Sequence, residues 1–187
     1  MILLARHGQT DFNAPPTRIQ GSLDPPLNDL GRAQARELAE LVAGENIAKL
    51  YSSDMQRARE TAQIVGERIG LEAVIEPRVR ECGWGAWEGR LVEDIAREEP
   101  DNWEAWLRAG EEFAFPSAPG KPGESLVDHM ARTNAALDDV RRGELPALVV
   151  CHGGTIRVAL AARDPRGLDA YHEFHPRNGQ LVRLEEA

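Results

Sequence analysis

The chain opens on an apolar run, Met1-Ile2-Leu3-Leu4-Ala5, that ends in Arg6-His7-Gly8. Far downstream Leu148-Val149-Val150-Cys151 ends in the same way, in His152-Gly153-Gly154. Short continuous apolar runs closed by glycine read as strands buried on both faces. Ile47 to Tyr51, which leads into Ser52-Ser53-Asp54 and Arg57, repeats the arrangement, as does Ala73-Val74-Ile75, which leads to Arg80-Glu81-Cys82-Gly83. Helical periodicity fills the intervals. Strands alternating with helices predict an α/β fold, a three-layer α/β/α arrangement around a largely parallel central sheet. Open sheets of this kind collect ligands at the carboxyl ends of their strands. The charged groups of this chain sit at those ends.

The pattern predicts strands over 2–6, 47–51, 73–75 (extending toward Val79), 147–151 and 180–185. Helices are predicted over 28–44, capped by Asn28; over 54–69, capped by Asp54 or Ser53 and stopped by Gly70; and over 124–142 and 154–162. The stretch 83–123 breaks the alternation. It holds all four tryptophans, two short helices near 91–98 and 101–109, and a loop marked by Pro116, Pro119 and Pro122. It reads as a small helical cap on the catalytic edge of the sheet. With 187 residues and no linker or internal repeat, one domain spanning 1–187 is expected.

A net charge of −9 argues against nucleic acid as a partner. It leaves room for a small anionic substrate, because a few arginines can dominate one pocket. No run is long enough to span a bilayer and Arg6 interrupts the first apolar run early, so no membrane association is expected and the cytoplasm is the simplest location. Cys82 and Cys151 have no metal-ligand spacing and read as buried fillers. A homodimer is compatible with the sequence, which does not fix the oligomeric state.

Two strands that each end in His-Gly suggest two imidazoles facing one anion. A strand-terminal Arg-His pair is also found as a surface pair or a satisfied buried histidine, and it is the second His-Gly end that favours chemistry. A phosphomonoester must be bound, its charge neutralised, and a nucleophile and an acid supplied. Arg6 and Arg57 offer paired N–H donors, His152 adds another, and Asn13, with backbone N–H groups near Gly8, Gln20 and Gly21, completes a cradle. His7 attacks as a neutral imidazole, its other nitrogen fixed by a carbonyl near Gly8. Glu81 is the candidate acid; the competing reading is a surface carboxylate paired with Arg78 or Arg80. Gly153-Gly154 before a helix offers free N–H groups to an anion. His129, His172 and His175 have no evident role, and no metal site or cofactor is expected.

The ordered residues carry a resemblance. Arg6-His7-Gly8-Gln9-Thr10 with Phe12-Asn13, Gln20-Gly21, Pro26-Leu27, Ser52-Ser53 with Arg57-Ala58 and Thr61-Ala62 come first. Glu81 with Trp87-Glu88-Gly89, Gly123-Glu124-Ser125-Leu126, His152-Gly153-Gly154 with Ile156-Arg157, and Asn178-Gly179 follow. Together they resemble the histidine phosphatase superfamily, also called phosphoglycerate-mutase-like, over nearly the whole chain. The resemblance implies catalytic His7, Glu81, Arg6, Arg57 and His152, and substrate contacts at Asn13, Gln20, Gly21 and Gly153. It also implies a phosphohistidine on His7, and makes Glu88 structural.

Within that resemblance three activities compete. The first is hydrolysis of a small phosphorylated metabolite. The second is a cofactor-dependent phosphoglycerate mutase, and the third a non-catalytic phosphate-binding protein. Mutases of the superfamily carry a longer insertion with adjacent arginines. Here 83–124 is short, with ten acidic and four basic residues (Arg90, Arg97, Arg108 and Lys121), which favours hydrolysis. The cap resembles those of small-molecule phosphatases such as the α-ribazole phosphatases. Gln9 stands where glutamate is frequent, which is expected to change the pocket's charge by one unit.

Overall fold

The computed structural model describes residues 1–108, 110 and 113–184. Five strands, β1 (Ile2–Arg6), β2 (Lys49–Ser52), β3 (Ala73–Ile75), β4 (Ala147–Cys151) and β5 (Leu181–Leu184), form one sheet in the order β3-β2-β4-β1-β5. All neighbours are parallel except β5, which runs antiparallel to β1. The six α-helices of the described residues are α1 (Asp29–Val42), α2 (Gln56–Ile69), α3 (Val92–Glu98), α4 (Pro100–Leu107), α5 (Leu126–Arg142) and α6 (Gly153–Ala161).

The alternation along β1 builds the layers, because successive side chains of a strand point to opposite faces. Leu3 and Ala5 pack with Leu38, Ala39 and Val42 of α1 and Ala58, Ala62 and Val65 of α2. Ile2 and Leu4 pack with Ala136, Leu137 and Val140 of α5 and Ile156 and Ala159 of α6. With both faces covered, every residue of β4 is buried. The three-layer expectation holds.

Some boundaries moved for identifiable reasons. Asn28 caps α1 as expected, accepting from the Gly31 N–H at 2.9 Å. At α2 neither Asp54 nor Ser53 is the cap residue: the helix starts later, and Asp24, from a distant loop, accepts the Gln56 N–H at 2.7 Å. Gly70 does end α2, at φ 73°. The third strand stops at Ile75, since Pro77 opens a 3-10 turn over Pro77–Val79. Ser125 caps α5 and shifts its start to Leu126. The turn Gly167–Glu173 has no counterpart in the sequence reading. The expected helix and strand ends at 109 and 185 lie outside the described residues.

The cap has its own core. Trp84, Trp87, Trp103, Trp106, Phe113 and Phe115 cluster with Ile95, Leu126 and Tyr171. Trp87 is fully buried and its indole N–H donates to Glu99 Oε2 at 3.0 Å. Polar satisfaction lets so large a side chain sit dry.

Candidate active site

The register of β1 against β4 pairs Arg6 with Cys151, so the next residues, His7 and His152, leave the sheet side by side. Their ring centroids are 5.1 Å apart. A cavity of about 240 Å³ is lined by their neighbours Arg6 and Gly153 and by Asn13, Gln20, Gly21 and Glu81, among others. His7, Arg57 and His152 are not in that lining but adjoin it, His7 next to Arg6, His152 next to Gly153, and Arg57 bonded to the Gly21 carbonyl at 3.0 Å, each no more than 1 % exposed. All nine residues named from the sequence are thus brought together.

His7 Nδ1 lies 2.6 Å from the Gly8 carbonyl oxygen. A carbonyl can only accept, so in the neutral ring Nδ1 carries the proton and Nε2 keeps the lone pair. Burial, then the positive charges of Arg57 and Arg6, hold this imidazole well below its ordinary range, against an opposing contribution from the Gly8 carbonyl. His152 is depressed in the same way by burial, Arg57 and His7. Its Nε2 lies 2.8 Å from Ser53 Oγ, which already accepts from the Met55 N–H. A hydroxyl that accepts one bond can still either donate to Nε2 or accept from it, so the contact leaves both tautomers open; Nδ1 of His152 is buried without a partner.

The arginines are aimed by backbone. Arg57 donates to the carbonyls of Leu23 at 2.7 Å and Gly21 at 3.0 Å, and Arg6 to that of Pro176 at 2.8 Å. The Nε of each is buried with no partner. Burial lowers both pKa values, with Glu81 opposing, yet guanidinium starts so high that both stay charged. Two oriented cations and a second, unpartnered imidazole nitrogen beside the lone pair of His7 Nε2 can hold and attack a phosphoryl group.

Glu81 is not the surface ion pair of the competing reading. Arg78 pairs with Glu76 and Asp139, and Arg80 with Asp54. Glu81 instead accepts from the Cys82 N–H at 2.9 Å and the Gly154 N–H at 3.2 Å and faces the cavity. Glu88 accepts from the Ser22 N–H and hydroxyl and the Trp84 N–H, which fits a structural role.

Other expectations need correction. The Gly8 N–H is not free for an anion, because it donates to Thr61 Oγ1 at 3.1 Å. Gln9 is not among the cavity-lining residues, and its side-chain oxygen accepts from Asn28 Nδ2 at the start of α1. Asn13 and Gln20 line the cavity, but Asn13 Oδ1 takes donors from Thr10 and Asn178, and Gln20 Oε1 accepts from Thr10. Each has its amide NH₂ left for a ligand.

Sequence reasoning missed Arg18 and Tyr171 in the cavity wall and left Arg157, quoted only within a motif, without a role. No local pattern marks Arg18. Asn178 braces the His7 carbonyl at 3.0 Å. Among the described residues Cys82, Glu124 and His129 bring possible metal-ligand atoms within 4.8 Å of one another, a gathering that spacing could not reveal. Both Glu124 oxygens are already held by Arg132, at 2.6 and 2.9 Å, so its charge is balanced without a cation. Burial pushes the Cys82 thiol well up, leaving a poor metal ligand. No helix of the described residues is long and apolar enough to cross a membrane.

Comparison with known proteins finds relatives over nearly the whole chain. The family model "Histidine phosphatase superfamily (branch 1)" matches residues 2–187. A probable phosphoglycerate mutase GpmB of Photorhabdus laumondii is 35% identical over 189 residues, covering 98% of this chain and 84% of that protein. The structure of a mycobacterial glucosyl-3-phosphoglycerate phosphatase in complex with VO3 superposes with a TM-score of 0.82 at 31% identity, covering 96% of this chain and 88% of that one. A putative alpha-ribazole-5'-P phosphatase of Escherichia coli gives 0.80 at 25% identity, with 96% and 87% covered.

Proposed function

The chain belongs to the histidine phosphatase superfamily, branch 1, and from that membership we propose a metal-independent phosphomonoesterase that hydrolyses a small phosphorylated metabolite through a phosphohistidine. The observation that carries the reading is the His7–His152 pair, 5.1 Å apart, each next to a residue (Arg6, Gly153) of the cavity that Glu81 also lines. His7 Nε2 forms a bond to phosphorus as the ester P–O bond breaks, and the departing alkoxide takes the proton of Glu81. Glu81, now a carboxylate, takes a proton from water, whose oxygen bonds to phosphorus as the P–N bond breaks. Arg6, Arg57 and His152 Nδ1–H hold the non-bridging oxygens through both steps.

The name of the Photorhabdus relative makes the mutase the second reading. A mutase must hold a second anion and keep water from the phosphoenzyme. The cap opposes it. Arg90 is paired with Glu98 and Glu99, Arg97 with Asp94 and Glu98, and Arg108 with Glu104, so these cations are spent inside the cap. The cavity wall itself has Arg18 and Arg157, which have no carboxylate partner among the described residues. They suit a substrate with a further anionic or polar group beyond the transferred phosphate, as in the glucosyl-3-phosphoglycerate named for one structural relative, and they serve a mutase's second anion equally well, so isomerisation against phosphate release is what separates the two readings. A non-catalytic phosphate binder would need neither an oriented His7 nor Glu81 at the cavity.

The test is a panel of phosphorylated metabolites with free phosphate as readout, alongside rapid acid-free quenching of labelled substrate. Label should appear on a histidine of the wild type and vanish in His7→Ala. Isomerisation of a monophosphoglycerate without net phosphate release would replace the hydrolase with the mutase, and no turnover of any ester would leave a binding protein.

A further inference from the structure

Glu81 stands on backbone that no strand or helix supports: residues 80–83 have no regular structure. A proton donor must nevertheless be held to within a fraction of an ångström. The side chain that supplies the rigidity is Arg132 of α5. Its Nη1 donates to the Arg78 carbonyl at 2.7 Å and the Arg80 carbonyl at 2.9 Å. Nη2 donates to the Glu81 carbonyl at 3.0 Å and to Glu124 Oε2 at 2.9 Å, and Nε to Glu124 Oε1 at 2.6 Å. A guanidinium has five N–H donors, and all five are spent here. Glu124 completes the loop, since its Oε2 also accepts from the Gly83 N–H at 3.1 Å and its own N–H donates to the Gly83 carbonyl at 2.8 Å. The segment on both sides of Glu81 is thus pinned to one planar cation and its counter-ion.

We propose that Arg132, with Glu124 as its anchor, is the positioning residue for the proton donor Glu81. Neither is offered to substrate: Arg132 spends all five donors on the protein, and both Glu124 carboxylate oxygens accept from Arg132. An arginine is required because a lysine ammonium has three donors on one point and cannot span three carbonyls and a bidentate carboxylate. The proposal rests on the reading of Glu81 as the acid and goes beyond it, by naming what fixes the acid in place.

The experiment compares Arg132→Lys, Glu124→Gln and Glu81→Gln with wild type, each first checked for a native melting transition and a titrated burst. Pre-steady-state cleavage is followed on an alkyl monophosphate and on p-nitrophenyl phosphate. A displaced acid hurts the ester that needs the proton, whereas general destabilisation lowers both through the active fraction. Arg132→Lys should slow alkyl cleavage by about 10-fold or more and aryl cleavage by less than about threefold, the scale expected for a catalytic group moved by a fraction of an ångström. Inhibition by inorganic phosphate should be unchanged, because Arg6, Arg57 and His152 are untouched. Glu124→Gln should act in the same direction, and decides the matter if Arg132→Lys does not fold. Should Glu81→Gln show the alkyl-selective loss while both clamp variants do not, the clamp is overturned and the acid stands. Equal losses on both esters in Glu81→Gln would overturn both.

Discussion

Gly154 offers a sharp test of the site's geometry. It is the second residue of α6, and its N–H donates to Glu81 Oε2. A methyl group at this position would sit 2.2 Å from Glu81 Oε1 and 3.3 Å from His129 Cε1. Ordinary contact begins near 3.4 Å, so the Glu81 carboxylate must retreat by about 1 Å. The fold should tolerate this well. The obstacle is the end of a flexible side chain, and alanine is favoured over glycine inside a helix by up to about 1 kcal/mol. The chemistry should not tolerate it, since a misplacement of about 1 Å costs on the order of 10²-fold, or about 2.7 kcal/mol of barrier. Gly154→Ala should therefore melt at or above the wild-type temperature yet cleave an alkyl phosphate about a hundredfold more slowly. Gly153→Ala is the contrast: its methyl would meet Arg6 Nε at 3.3 Å and Cζ at 3.4 Å, crowding the phosphate clamp and leaving Glu81 alone, so any loss should fall on alkyl and aryl esters alike. Stopped-flow cleavage and a thermal melt decide the case. Wild-type alkyl cleavage in Gly154→Ala would refute the placement of Glu81 as the working acid.

Arg57→Ala should weaken alkyl and aryl esters alike, because both present the same phosphoryl group, while Glu81→Gln should cost the alkyl ester about 10²–10⁴-fold and the aryl ester less; equal behaviour of the two variants in burst kinetics would merge the roles. Activity should survive EDTA, and a loss restored by a divalent ion would overturn the metal-independent reading. His7, His129 and His152 are all held below the ordinary imidazole range, burial being the largest cause in each, with His129 brought to about 4. The unfolded chain protonates them near pH ~6.5, so it binds more protons than the native state below that value. Stability is then full above pH ~6.5 and falls as pH drops, by at most about 1.4 kcal/mol per pH unit for each histidine, and urea midpoints that match at about pH 7.5 and about pH 5 would contradict this.

What the sequence made legible is what local pattern encodes. Four apolar runs ending in charged residues located the parallel strands and, through the rule of carboxyl ends, the site. Asn28 and Gly70 announced their helix boundaries because capping is a property of neighbouring residues. The cap of α2 was not legible, since Asp24 reaches it from another loop. The same holds for Arg18 in the cavity wall, for the diversion of the Gly8 N–H to Thr61 and for the turning of Gln9 toward Asn28. Each depends on a partner distant in sequence, and periodicity carries no information about such partners. Arg132 is the fullest case: a helix-surface arginine by pattern, a five-bond staple in space.

The strand order has a consequence for how the chain is made. β1 has two neighbours in the sheet, β4 and β5, and both come near the far end of the sequence. Until β4 has been made, Ile2, Leu3, Leu4 and Ala5 thus have no ladder to join, while β2 and β3, separated only by α2, can already associate. Pairings this remote in sequence close late, because the loop entropy must be met before the contact returns anything. The nascent protein therefore holds an unpaired apolar strand for longer than any other part of its sheet, the condition under which chains seek chaperones or one another. Since the β1–β4 ladder also sets His7 against His152, the candidate site comes into being at the closing of the sheet.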